Sequence, residues 1–171
     1  MMWLLACANS MHPVGGAPFE LATMQSAVIV QTPDSDPEAG VGFADLTLSS
    51  GLLSCGDTVE ALHDLVGPDG SVIQLRLRWY HESFDVEDPA VDMGWEGLYL
   101  QAQQRAVSEQ QGAVHRSFFT TVYTDQQQWQ LDQFPGELEV TSFGEVVEGR
   151  LDQQWVRGRF SAERCGQVQP E

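Results

Sequence analysis

Gly136-Glu137-Leu138-Glu139-Val140-Thr141-Ser142, then Val146-Val147-Glu148-Gly149-Arg150-Leu151, then Trp155-Val156-Arg157-Gly158-Arg159-Phe160-Ser161-Ala162-Glu163-Arg164-Cys165, is the stretch that decides the fold. It reads as three consecutive strands. The pattern valine, charge, glycine, arginine, large apolar residue occurs at Val147–Leu151 and again at Val156–Phe160, so two successive strands present similar faces in a hairpin. On the last strand Val156, Phe160 and Ala162 share one face and Arg157, Arg159 and Glu163 the other, the period-two alternation of a half-buried strand. Cys165 falls on the polar side, so burying it calls for a bulge or a turn at the strand end.

Upstream, the same alternation recurs. Ser71 to His81 places Ile73, Leu75, Leu77 and Trp79 toward a core and Gln74, Arg76 and Arg78 outward. Further strands are expected over Ser26–Thr32, Phe43–Ser49, Trp95–Gln103, with Leu98, Leu100 and Ala102 on one face, Val114–Thr124 and Trp129–Leu131. One short helix is expected after Asp57, with Glu60 at the capping-box position and Val59, Leu62 and Val66 at helical spacing. Eight to nine strands with short turns and no alternation with helices predict an all-β domain, an antiparallel β-sandwich or jelly-roll-like structure.

The 171 residues suit a single domain with a substantial core. Twenty-five carboxylates stand against eight arginines and no lysine, a formal charge of -17, which opposes association with nucleic acid or an anionic bilayer surface.

The amino terminus, Met1-Met2-Trp3-Leu4-Leu5-Ala6-Cys7, ends in Leu4-Leu5-Ala6-Cys7, which resembles the lipobox of bacterial lipoproteins. That resemblance implies lipid (palmitate among the acyl groups) on Cys7, a signal peptide that continues upstream of Met1, and a place in the cell envelope, at the outer membrane. Residues 1–7 are then a signal remnant, 8–18 a flexible tether and 19–171 the β-domain. With Cys7 taken by lipid, Cys55 and Cys165 remain for a disulfide in an oxidising compartment. Two buried free thiols are the alternative. The arrangement as a whole, an alternating strand before one cysteine and a final strand ending Phe160-Ser161-Ala162-Glu163-Arg164-Cys165, resembles secreted or lipid-anchored β-domains of Gram-negative bacteria, which implies no particular activity.

Motifs for chemistry are sparse. The sequence has no nucleophile elbow and no phosphate-cradling glycine loop, and His12, His63, His81 and His115 lack metal-ligand spacing. The densest polar constellation is Glu82, Asp85, Glu87, Asp88 and Asp92 with Glu96 beyond, a set able to wrap Ca²⁺ or simply to form a solvated acidic loop. Asp34, Asp36 and Glu38 form a smaller one. Trp95, Trp129 and Trp155 stand near strand ends, where they either stack on sugar rings or plug the ends of the core. The sequence thus reads first as a non-catalytic envelope domain contacting the membrane and an envelope protein, second as a glycan- or Ca²⁺-binding module, and third as a hydrolase.

Overall fold

Alternation of apolar and polar residues makes each strand of this chain a ribbon with one dry face, and closing the ribbons on one another buries all of those faces at once. The computed structural model describes residues 9–32, 40–55, 69–81, 94–101, 114–124 and 127–165. Within them lie ten strands: β1 (His12–Pro13), β2 (Ser26–Gln31), β3 (Val41–Ser49), β4 (Ser71–His81), β5 (Gly97–Gln101), β6 (Val114–Thr124), β7 (Gln127–Gln130), β8 (Gly136–Phe143), β9 (Val146–Gln153) and β10 (Val156–Cys165). The helix expected after Asp57 lies outside the described residues, which contain no helix.

Eight strands form a closed circuit, β10-β2-β3-β4-β6-β5-β8-β9 and back to β10. The expected sandwich or jelly roll is therefore corrected to a β-barrel. Period-two alternation is common to both architectures, and what separates them is pairing between strands remote in sequence. Here β10 pairs with β2, Glu163 with Val28 and Cys165 with Val30. The circuit consists of two four-stranded antiparallel halves, β2-β3-β4-β6 and β5-β8-β9-β10, joined at two parallel seams, β10/β2 and β5/β6.

Both seams are short. The β5/β6 seam holds only Leu100 with Ser117 and Gln101 with Phe118, whereas β4 and β6 pair along their whole length from Ser71–Thr124 to His81–Val114. A short seam leaves bare backbone on the longer strand, and each bare edge is covered by an added antiparallel segment. β7 pairs with β6 from Thr121 to Thr124, and β1 pairs with β10 at Val156 and Arg157. Above β1 the chain continues along the same edge: Ser10 donates its backbone N–H to the Arg159 carbonyl (3.0 Å), its Oγ accepts from the Arg159 N–H, and Asn9 Oδ1 accepts from the Ser161 N–H (2.9 Å). Within the segment 8–18 expected as a tether, the described residues 9–14 are docked along β10 and its turn, and Met11 is buried. An unpaired strand edge is a template for aggregation, so covering it serves solubility as well as stability.

The barrel interior is solid. Ile29, Leu46, Leu48, Ile73, Leu75, Leu77, Phe118, Val122, Leu138, Val140, Val147, Leu151 and Phe160 fill it, as an eight-stranded barrel is just wide enough for its own side chains. Each fully buried leucine contributes about 1.5–3 kcal/mol relative to exposure. On β5 the inward set is Tyr99 and Gln101 rather than Leu98 and Leu100, which are half-buried on the outside. A buried tyrosine is acceptable here because its hydroxyl is bonded: Tyr99 donates to the Trp95 carbonyl at 2.7 Å.

Candidate functional site

The barrel has two ends, and aromatic side chains occupy both. At the upper end, where β2, β4, β8 and β10 finish, Trp79 meets Trp95 edge-on at 5.9 Å, and Trp95 stacks on Phe143 at 4.7 Å. The Arg164 guanidinium lies over the Phe143 ring at 4.9 Å, and its Nη2 reaches Gln31 Oε1 at 3.4 Å. Beneath this stack Arg116 donates to the Gly94 carbonyl (2.9 Å) and stands beside the Tyr99 hydroxyl. Burial pushes the Tyr99 phenol pKa well above its ordinary value, offset in part by Arg116, and burial draws the Arg116 guanidinium down, offset in part by Tyr99. Trp95 is only 4% exposed, so its ring plugs the core and is closed to a ligand.

At the lower end Trp129 on β7 and Trp155 in the β9–β10 turn are half-buried against the core, with Phe19 between them at 6.0 and 6.4 Å and Phe134 at 4.2 Å from Trp155. Trp155 has φ +80°, the left-handed region, which costs a bulky residue about 1–2 kcal/mol. The two-residue turn Gln154-Trp155 joins Gln153 to its register partner Val156, and its outer bonds hold it: Val14 N–H donates to the Trp155 carbonyl (2.9 Å).

This turn lines a cleft of about 320 Å³ together with Val14, Gly15 and Pro135 to Glu137. Glu137 and Asp152 are register partners, so the two carboxylates stand side by side, about 5 Å between Cβ atoms. Arg157, the next position across the sheet, binds Asp152 at 2.8 Å, and Glu137 has no ion-pair partner among the described residues. Gln153, the next residue on β9, faces the barrel interior instead: it is 2% exposed, its Nε2 donates to the Leu131 carbonyl (3.0 Å), and its Oε1 has no hydrogen-bond donor among the described residues.

Cys55 and Cys165 are joined in a disulfide with Cα atoms 5.3 Å apart. Cys165 does not turn inward as its burial suggested it must. It stays on the outer face opposite Val30 and is covered from outside by the segment that leaves β3, where Gly51 and Leu53 bond to Ser26 Oγ and Cys55 closes the bridge. Of the carboxylates considered for Ca²⁺, Glu96 alone lies among the described residues, and it accepts from the Phe143 N–H at 3.1 Å. Glu82, Asp85, Glu87, Asp88, Asp92 and Cys7 lie outside them.

Glu137, Asp152 and Gln153 were not singled out from sequence. Their only signal was the spacing of the hairpin, which sets Glu137 opposite Asp152 once the strands are registered. Comparison with protein-family models, with curated proteins and with solved structures returns no match for this chain.

Proposed function

We propose that this chain is a lipid-anchored β-barrel domain of the bacterial cell envelope, at the outer membrane, with a non-catalytic interaction role. The observation that carries the reading is the Cys55–Cys165 bridge, since such bonds persist in oxidising compartments and are rare in a reducing cytosol. It leaves Cys7 as the third cysteine, in a lipobox-like setting. The filled interior supports an outward-facing role: leucines and aromatic rings occupy the space where wider barrels hold a ligand, so contacts with a partner fall to the surface.

Metabolic labelling with an alkyne fatty acid, in cells expressing the gene from its own locus, tests the anchor. Label lost in Cys7→Ser and kept in Cys55→Ser is the expected result. An unlabelled protein, or a mature amino terminus other than Cys7, rejects it. Quantitative alkylation of Cys55 and Cys165 without prior reduction would reject the compartment.

A further inference from the structure

We infer that the outer face of β3, β4 and β6 is a contact surface through which two copies of this chain pair about a two-fold axis. The inference deepens the interaction role proposed above by naming a surface and a partner, and it rests on that reading only for the biological setting.

Charge singles out the face. Strands β3, β4 and β6 contain one carboxylate, Asp45, whereas β8, β9 and β10 contain five, Glu137, Glu139, Glu148, Asp152 and Glu163. Two chains of net charge -17 repel each other at long range, so close contact between copies is favoured where carboxylates are scarce. The outward residues here are arginine and aromatic instead: Arg76 and Arg78 on β4, with Phe43 on β3 and Phe119 on β6. Phe119 is 39% exposed, one of three large apolar side chains exposed among the described residues. Protein contacts are enriched in aromatic residues and arginine and depleted of aspartate and glutamate relative to the rest of a surface.

Register identifies the partner. Val30, Asp45, Arg76 and Phe119 pair in succession across β2, β3, β4 and β6, so they form one row on the barrel wall. Its order, apolar, acidic, basic, apolar, is complementary to itself when reversed. A two-fold axis running along the strands between β3 and β4 performs that reversal, as an isologous contact requires. It sets Asp45 against Arg76 of the second copy and Val30 against Phe119. Phe43 and Arg78, register partners in a neighbouring row, meet their counterparts in the same way, ring against guanidinium.

The groups are already in place for this. Within one chain Arg76 Nε donates to Asp45 Oδ1 at 3.0 Å, and the Arg76 side chain is 62% exposed. A guanidinium carries further N–H donors on its outer edge, which suit a second carboxylate. Pairing thus closes a ring of four alternating charges. The Arg78 guanidinium lies over the Phe43 ring at 5.4 Å and the Tyr80 ring at 5.7 Å, contacts that keep it on this face.

The contact is small. Three strands span about 14 Å and nine residues about 30 Å, which gives roughly 400 Å² per copy. That is about half of a standard interface, so a dissociation constant of about 10 µM or weaker is expected.

The test uses the full chain carrying Cys7→Ser, so that no free thiol links copies, in sedimentation equilibrium at about 10 to 200 µM. About 0.3 M NaCl screens the repulsion between chains beyond about 6 Å. A reversible monomer–dimer equilibrium is the expected result. Asp45→Arg and Arg76→Asp each place like charges across the axis and should weaken the dimer about tenfold or more. An equimolar mixture of these two variants should regain it, because every arginine then faces an aspartate of the other variant. Refolding cannot produce that recovery, since neither chain changes on mixing. Phe119→Glu, at an exposed position, tests the flank independently and should also weaken the dimer. A chain that stays monomeric throughout, a dimer indifferent to these substitutions, or a mixture that behaves as its separate components overturns the proposal. None of these outcomes bears on lipid labelling at Cys7, so the two proposals fail separately.

Discussion

Gly42 and Trp79 are register partners on β3 and β4, and the indole of Trp79 fills the space that any side chain at position 42 would occupy. Gly94 approaches the same indole, where a Cβ would stand 2.5 Å from Trp79 Cε2. One of the two tryptophans of the upper plug is thus flanked by two residues that have no side chain.

Substituting Gly42→Ala is therefore expected to destabilise the barrel by about 1–3 kcal/mol through overpacking, with Trp79→Phe in the same chain recovering part of that loss. Urea denaturation of the two single variants and the double variant measures the coupling. Additive effects would show that the indole and the glycine do not share this space.

Removing the bridge by Cys55→Ser together with Cys165→Ser is expected to cost about 4–5 kcal/mol in the chain-entropy model, because it closes a loop with a sequence separation of 110 residues. The urea midpoint of the variant should match that of the native chain under dithiothreitol. The loss should be felt first at the β10/β2 seam, which the bridge ties down, and hydrogen exchange at Ile29 and Val30 reads it out.

Alkaline stability depends on Tyr99. Its folded-state pKa is raised by burial, so the neutral phenol is preferred in the folded chain and no stability is lost below about pH 10, the value of a free tyrosine. Above that pH the unfolded chain ionises first, and stability should fall with a slope of up to about 1.4 kcal/mol per pH unit. Tyr99→Phe should flatten that slope while costing about 1 kcal/mol at neutral pH for the lost bond to the Trp95 carbonyl. An unchanged slope in the variant would show that other groups carry it.

How much of this was legible in sequence depends on whether the signal was local. The hairpin from Gly136 to Cys165 and the strand from Ser71 to His81 carry their own alternation, and the structure places β8, β9, β10 and β4 there. The cysteine pair followed from a count of three. Closure did not follow, because the seam between Glu163–Cys165 and Val28–Val30 involves strands at opposite ends of the chain and leaves no mark on either pattern. Which face of β5 points inward was not legible, because Leu98 and Leu100 compete with Tyr99 and hydropathy cannot see the carbonyl that satisfies the tyrosine. The same holds for the cleft: Glu137 and Asp152 become neighbours only through the register. Residues 9–14 read as a tether because small and polar residues there bond through backbone and Asn9 and Ser10 side chains, an arrangement no periodicity reports.

That docked segment gives a further prediction. Gly158 lies against the backbone of Ser10 and Met11, and a Cβ there would stand 2.5 Å from the Ser10 carbonyl oxygen. Gly158→Ala should lift residues 9–14 off β10, with faster amide exchange at Ser10 and Arg159 and new protease cleavage before Val14, while the barrel itself stays folded. Unchanged exchange at both amides would show that the segment accommodates the methyl group.

If Cys7 carries the proposed lipid, docking at Asn9 limits how the domain can stand on a membrane. Only Ala8 separates Cys7 from Asn9, so a lipid on Cys7 would be moored within about 7 Å of the bond between Asn9 and Ser161. The barrel would then have little freedom to swing. β10 runs from Val156 to Ser161 and on toward its end, and Trp155 sits at its opposite extreme, about 20 Å from that mooring at the rise of an extended strand. The upper plug would rest near the lipid, and the Trp155 cleft would point away from it, toward whatever lies beyond the bilayer surface.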